Sequence, residues 1–110
     1  MSDTLKVLAQ ISPNAAVLTT AYTVPALTST TASSCVICNT NATTSYFRIS
    51  VAIGGAADAL KQYLYYDLPL AGNDTFIATI GVTMAAGDII SVRGADAGLA
   101  FNFFGVELTP

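Results

Sequence analysis

The chain is 110 residues long, enough for one domain, and carries only four basic and seven acidic residues, 10% charged against 53% hydrophobic. Ordinary globular chains carry about 25% charged residues, so here the polar surface must come mainly from its 14 Thr, 8 Ser and 5 Asn. Four dispersed cations and a net charge of -3 cannot build the footprint that phosphate backbones require, and high hydropathy with low charge is the opposite of a disordered composition. The absence of histidine removes the commonest general acid/base and the commonest metal ligand.

Met1 to Val7 lacks a basic region followed by an apolar run, so no secretory leader is expected, and no apolar stretch approaches the length of a membrane span. Neither membrane nor nucleic acid is an expected partner. Synthesis in a cytoplasm would keep Cys35 and Cys38 reduced. A small domain with so few charges is poorly solvated alone, which points to an oligomer or a larger assembly.

In chain order, Leu5, Val7, Ala9 and Ile11 alternate with Lys6, Leu8 and Gln10 in a first strand that stops at Pro13-Asn14. A second strand places Leu18, Thr20, Tyr22 and Val24 on one face and ends at Pro25. Residues 31–39 form a third strand, whose contiguous Cys35, Val36, Ile37 and Cys38 predict cover on both faces. Residues 46–53 alternate cleanly in a fourth, with Phe47, Ile49, Val51 and Ile53 sharing one face. Gly54-Gly55 ends it, and the helix-prone residues 56–61 are too few for more than a loop or single turn.

The fifth strand spans residues 63–68 and is bounded by Pro69, the sixth residues 74–80, the seventh 88–93 and the eighth 99–108. In the eighth, Leu99, Phe101 and Phe103 lie on one face while Phe104, Val106 and Leu108 lie on the other, a phase change that predicts a β-bulge beside Gly105. Eight short strands with regular turn signals predict a single all-β domain over residues 1–110. Its expected form is an eight-stranded two-sheet sandwich, jelly-roll-like, with an N-terminal strand or arm over residues 2–11.

Several motifs invite chemistry and yield none. Cys35-Val36-Ile37-Cys38 matches C-x-x-C, yet no second ligand pair exists and residues three apart in a strand point to opposite faces, so buried thiols are expected rather than a zinc or redox site. Leu70-Ala71-Gly72-Asn73-Asp74 and Met84-Ala85-Ala86-Gly87-Asp88 resemble each other, each placing Asp at a strand entrance, where its carboxylate caps its own turn. Those Asp-bearing loops lack the EF-hand spacing, so neither a metal nor a cofactor is expected. No constellation of nucleophile and base exists, so the chain is not expected to be an enzyme. Tyr63, Tyr65 and Asp67 share one face of the fifth strand, opposite Leu64, Tyr66 and Leu68. If the second set is core, two phenol rings and a carboxylate face outward, suited to a protein interface or to stacking on a sugar.

Tyr22-Thr23-Val24-Pro25-Ala26, Ser33-Ser34-Cys35-Val36-Ile37-Cys38-Asn39, Phe47-Arg48-Ile49-Ser50-Val51-Ala52, and above all Tyr63-Leu64-Tyr65-Tyr66-Asp67-Leu68-Pro69-Leu70 with Asp74-Thr75 and Ala85-Ala86-Gly87-Asp88, resemble small structural proteins of tailed bacteriophages. The likeness runs from about Lys6 to Leu108. It implies a β-sandwich module of the virion, a viral structural protein made in the host cytoplasm. The implied role is a capsid decoration (cement) protein, a homotrimer bound to the major capsid protein or other virion subunits at contacts between capsomers. A tail-, collar- or fibre-associated module is the alternative, and a host-surface glycan-binding module the next. The residues expected at the interface are Leu5, Val7 and Ile11 of the N-terminal arm, free to add a strand to a neighbour, together with Tyr63, Tyr65 and Asp67.

Overall fold

A computed structural model describes residues 2–110. Eight strands form two four-stranded antiparallel sheets: β1 Ser2–Ile11, β2 Thr19–Thr23, β3 Ser29–Asn39, β4 Ser45–Ala52, β5 Tyr63–Leu70, β6 Thr75–Met84, β7 Ile89–Gly94 and β8 Leu99–Thr109. One sheet has the order β1-β8-β3-β6 and the other β2-β7-β4-β5. Every connection except β4 to β5 crosses between sheets, which is the winding of a jelly roll. The only helical pieces are two 3₁₀ turns, Ile53–Gly55 and Leu60–Gln62, so among the described residues no helix is long and apolar enough to cross a membrane.

The core lies between the sheets. Leu99, Phe101 and Phe103 of β8 and Ile37 of β3 face Phe47 and Ile49 of β4 and Ile90 and Val92 of β7, all fully buried. Each such side chain contributes about 1.5–3 kcal/mol on leaving water. Phe47 is the centre of this packing, its ring 5.5 Å from Phe76, 5.9 Å from Tyr65 and 6.1 Å from Phe101.

Bulges set which face each residue occupies. In β8 the residues alternate without interruption, with Leu99, Phe101, Phe103 and Gly105 buried. The bulge expected beside Gly105 lies instead in its two neighbours, at the register shift between Val7 and Ala9 on β1 and between Ala32 and Ser34 on β3. The first opposes Phe103-Phe104 and the second Phe104-Gly105, so Phe104, Val106 and Leu108 emerge on the outer face of a regular strand. Gly105 is required for a different reason: a Cβ there would lie 2.0 Å from the Thr31 carbonyl oxygen.

Other departures follow from the same sheet geometry. The shift between Thr20 and Tyr22 in β2 sends Thr20 outward beside Ser91 and Tyr22 inward beside Ile90, so the single face expected for these residues is split. Cys35 and Ile37 are buried but Val36 and Cys38 are half-exposed, so β3 is covered on one face only. Ile53 leaves β4 for the 3₁₀ turn and is 81% exposed. β5 continues through Pro69 to Leu70, because it is an edge strand and proline's missing N–H costs no ladder bond on the open side. β6 extends to Met84, past the left-handed Gly81 at φ 58°.

Buried polar groups secure the loops. Asn39, fully buried, donates from Nδ2 to the carbonyls of Thr43 (2.9 Å) and Leu70 (3.0 Å) and accepts the Asn41 N–H at 2.9 Å. The two similar loops make the same turn: Asp74 N–H donates to Ala71 O at 3.2 Å and Asp88 N–H to Ala85 O at 3.1 Å, with Asn73 and Gly87 left-handed just before. Asp88 is buried and caps as expected, accepting from Ala85 N–H and Gly54 N–H, each at 2.9 Å.

Candidate assembly interface

The outer face of the β1-β8-β3-β6 sheet follows from the register. Cross-strand partners share a face, so the pairs Leu5↔Val106 and Val7↔Phe104 place β1 beside β8, and Val36↔Ile77 places β3 beside β6. Leu5 is 85% exposed, Val7 48% and Ile77 71%. Around them lie Thr31, Ser34, Thr79, Thr83 and Asn102, and Asp3, paired with Leu108, is the single charge that the register puts on this face. Lys6 and Glu107, neighbours in sequence to these residues, point the other way. Lys6 Nζ meets Glu107 Oε1 at 3.2 Å, and Glu107 accepts the Tyr22 hydroxyl between the sheets.

The expected interface residues therefore separate. Leu5 and Val7 lie on this exposed face. Ile11 packs against the core, and residues 2–11 are paired with β8 along their length, from Ser2↔Thr109 to Ile11↔Phe101, so the segment is an edge strand of its own sheet rather than a free arm.

The tyrosine strand is also rearranged. Register shifts in β5 between Tyr63 and Tyr65 and between Tyr65 and Leu68, the second at Asp67 with φ 51°, turn the phase twice. Tyr65 goes inward, its ring 5.4 Å from Phe76, and burial raises its phenol pKa. Tyr66, expected inside, is 51% exposed. Tyr63 and Tyr66 stack edge to face at 5.0 Å, the Arg48 guanidinium lies 4.0 Å over the Tyr66 ring, and Arg48 Nε and Nη2 grip the Asp67 carboxylate at 2.6 and 3.1 Å. That hydrogen bond holds the Asp67 carboxyl below the usual range. Tyr63 donates to Asp58 Oδ1 at 2.8 Å. The paired outward platform of Tyr63 and Tyr65 is thus not formed. A closed Tyr-Arg-Asp cluster stands in its place, beside a shallow hollow of about 390 Å³ lined by Tyr46, Arg48, Asp67, Arg93 and Ala95. Arg48 and Arg93 are the signal that the sequence reading missed: they are directly opposed on β4 and β7.

The thiols divide as strand geometry requires. Cys35 is fully buried, and burial pushes its pKa up to about 11, while Cys38 is half-exposed on the outer face. No group of three or more metal-ligating side chains occurs among the described residues. Searches with the sequence match it to no protein-family model and to no curated protein.

Proposed function

We propose that the chain is a structural subunit of a tailed-bacteriophage virion, a capsid decoration protein that docks through the outer face of the β1-β8-β3-β6 sheet. The observation carrying this reading is that face itself: Leu5, Val7, Ile77, Phe104 and Val106 set among hydroxyls and amides, with Asp3 as its only charge among the described residues. Four strands at about 4.8 Å spacing and ten residues at about 3.3 Å rise give about 600 Å² of sheet plane, the scale of one side of a specific interface at about 800 Å². Apolar area removed from water there contributes on the order of 25 cal/mol per Å² before the costs of association. The role is mechanical: subunits seated across capsomer contacts oppose outward pressure on the shell. The resemblance to phage structural proteins supports the same reading. A tail-, collar- or fibre-associated subunit would use the same chemistry at far lower copy number.

The test is particle binding by a variant with Leu5→Lys and Val7→Lys, whose exposed positions tolerate charge without disturbing the core. Its occupancy on particles is expected to fall at least tenfold, while Thr20→Lys on the opposite sheet binds as the parent does. Equal occupancy for the double variant would overturn the docking face.

A further inference from the structure

We propose that the chain is a two-fold dimer in which β6 pairs antiparallel with β6 of a second copy, joining two four-stranded sheets into one of eight strands. The two sheets have four edges. β1, β2, β5 and β6 each leave one side of their backbone unpaired, a template for another strand unless it is guarded by charge, proline, bulges or shortness. β1 carries Asp3 and Lys6. β2 is only five residues long with a register shift inside it. β5 carries Asp67 and Pro69 and two shifts. β6 runs ten residues, Thr-Phe-Ile-Ala-Thr-Ile-Gly-Val-Thr-Met, without a charge or a proline. Its single interruption is a register shift between Thr79 and Val82, at the left-handed Gly81, and residues 75–79 before it pair one to one with β3.

A second observation lies beside that edge. The flank between β5 and β6 opens into an apolar hollow of about 290 Å³ lined by Leu64, Tyr65, Thr79, Ile80 and Val82. Leu64 is 43% exposed there, beside Tyr65, Ile80 and Val82, which pack against the core. A strand added to β6 would bring alternate side chains over this hollow, so the unpaired backbone and the uncovered apolar flank call for the same occupant.

The identity of that occupant follows from the guards. A head-to-tail contact would need a second receptive edge, and each of the other three is blocked. A two-fold contact needs only β6, because the same patch serves both copies. With the axis beside Thr79, the two Thr79 residues oppose each other, and Ile80 and Val82 of one copy face Ala78 and Phe76 of the other on the core side. The axis is perpendicular to the sheet, so both outer faces point the same way. A dimer, rather than the trimer implied by the resemblance, is the closed assembly these edges permit.

Sedimentation equilibrium is expected to give twice the 11.3 kDa chain mass at about 50 µM. Thr79→Lys sets two cations against each other at the axis and is expected to weaken the dimer at least 100-fold without lowering the thermal midpoint of the monomer. The Leu5→Lys, Val7→Lys double variant, altered only on the outer face, is expected to remain dimeric, which separates this contact from the docking face. Hydrogen exchange gives an independent reading, with amides of residues 75–84 slowed as concentration rises. A monomeric or trimeric parent, a dimer unaffected by Thr79→Lys, or a dimer lost in the outer-face variant would each overturn the proposal.

Discussion

Arg48 and Asp67 meet through two hydrogen bonds, at 2.6 and 3.1 Å, and the geometry is set by the backbone of Asp67, which adopts a left-handed φ of 51° at a bulge in an edge strand. The bulge that spoils the alternation of β5 also carries the carboxylate back to β4, where Arg48 is held over the Tyr66 ring. An irregularity in one strand thus orders a polar cluster across two.

Backbone and ion pair can be separated at this position. Asp67→Ala loses the pair while keeping an unfavourable φ, and is expected to destabilise by about 1–2 kcal/mol. Asp67→Gly loses the same pair but relieves the backbone, so it costs less. Urea denaturation of both variants checks the order, and equal losses would show that the ion pair alone matters.

Gly105→Ala is expected to be far more damaging than its size suggests. Its Cβ would lie 2.0 Å from the Thr31 carbonyl oxygen, a backbone atom fixed by the β3–β8 ladder, so a loss of about 3 kcal/mol or more follows from forced strand separation. Gly81→Ala meets no atom within 4 Å and carries only the penalty of φ 58°, about 1–2 kcal/mol. Thermal midpoints of the two variants measure the difference.

Stability is expected to form a plateau with two limbs. Hydrogen bonds from Tyr22, then Lys6, hold Glu107 low, and Arg48 holds Asp67 low. A folded pKa below the unfolded one means stability present above the ordinary carboxylate range and lost as pH falls through the folded values, so the acid limb lies below about pH 4. Burial, then the Glu107 hydrogen bond, raises Tyr22 from 10.0 to about 12, and burial raises Cys35 from 9.0 to about 11. Their contributions are complete below the unfolded values and are lost as pH rises through the folded ones, which places the alkaline limb between 9.0 and about 12. In Tyr22→Phe, Glu107 loses its largest source of depression, so the acid limb becomes shallower and ends at a higher pH, and the alkaline limb flattens. Urea midpoints across pH check both movements.

Deleting residues 2–11 is expected to abolish cooperative unfolding. The segment supplies Leu8 to the core, packs Ala9 and Ile11 against it and covers one side of β8. A truncated chain that kept the parent's β-rich circular dichroism spectrum and a sharp transition would show that the sandwich closes without β1.

Alternation alone was enough to locate all eight strands and the sandwich, because Phe47, Ile49, Phe101 and Phe103 keep period two wherever the strand is regular. What escaped the sequence were the bulges. Tyr63 and Tyr65 read as a single outward face, but one register shift separates them and a second follows at Asp67, whose left-handed backbone the alternation does not announce. Ile11 and Val7 look equivalent by period, yet the shift between Val7 and Ala9 leaves one outside and sends the other in. The Arg48–Asp67 pair is 19 residues apart and rests on those same shifts. Leu5 and Val7 were legible because they precede the first shift.

The most direct test of the assembly role is the number of copies of this chain per purified phage particle, measured by quantitative mass spectrometry against the major capsid protein. A decoration protein predicts hundreds of copies in fixed ratio to the shell. Tens of copies or fewer would move the chain to the tail, and its absence from particles would contradict a virion role altogether.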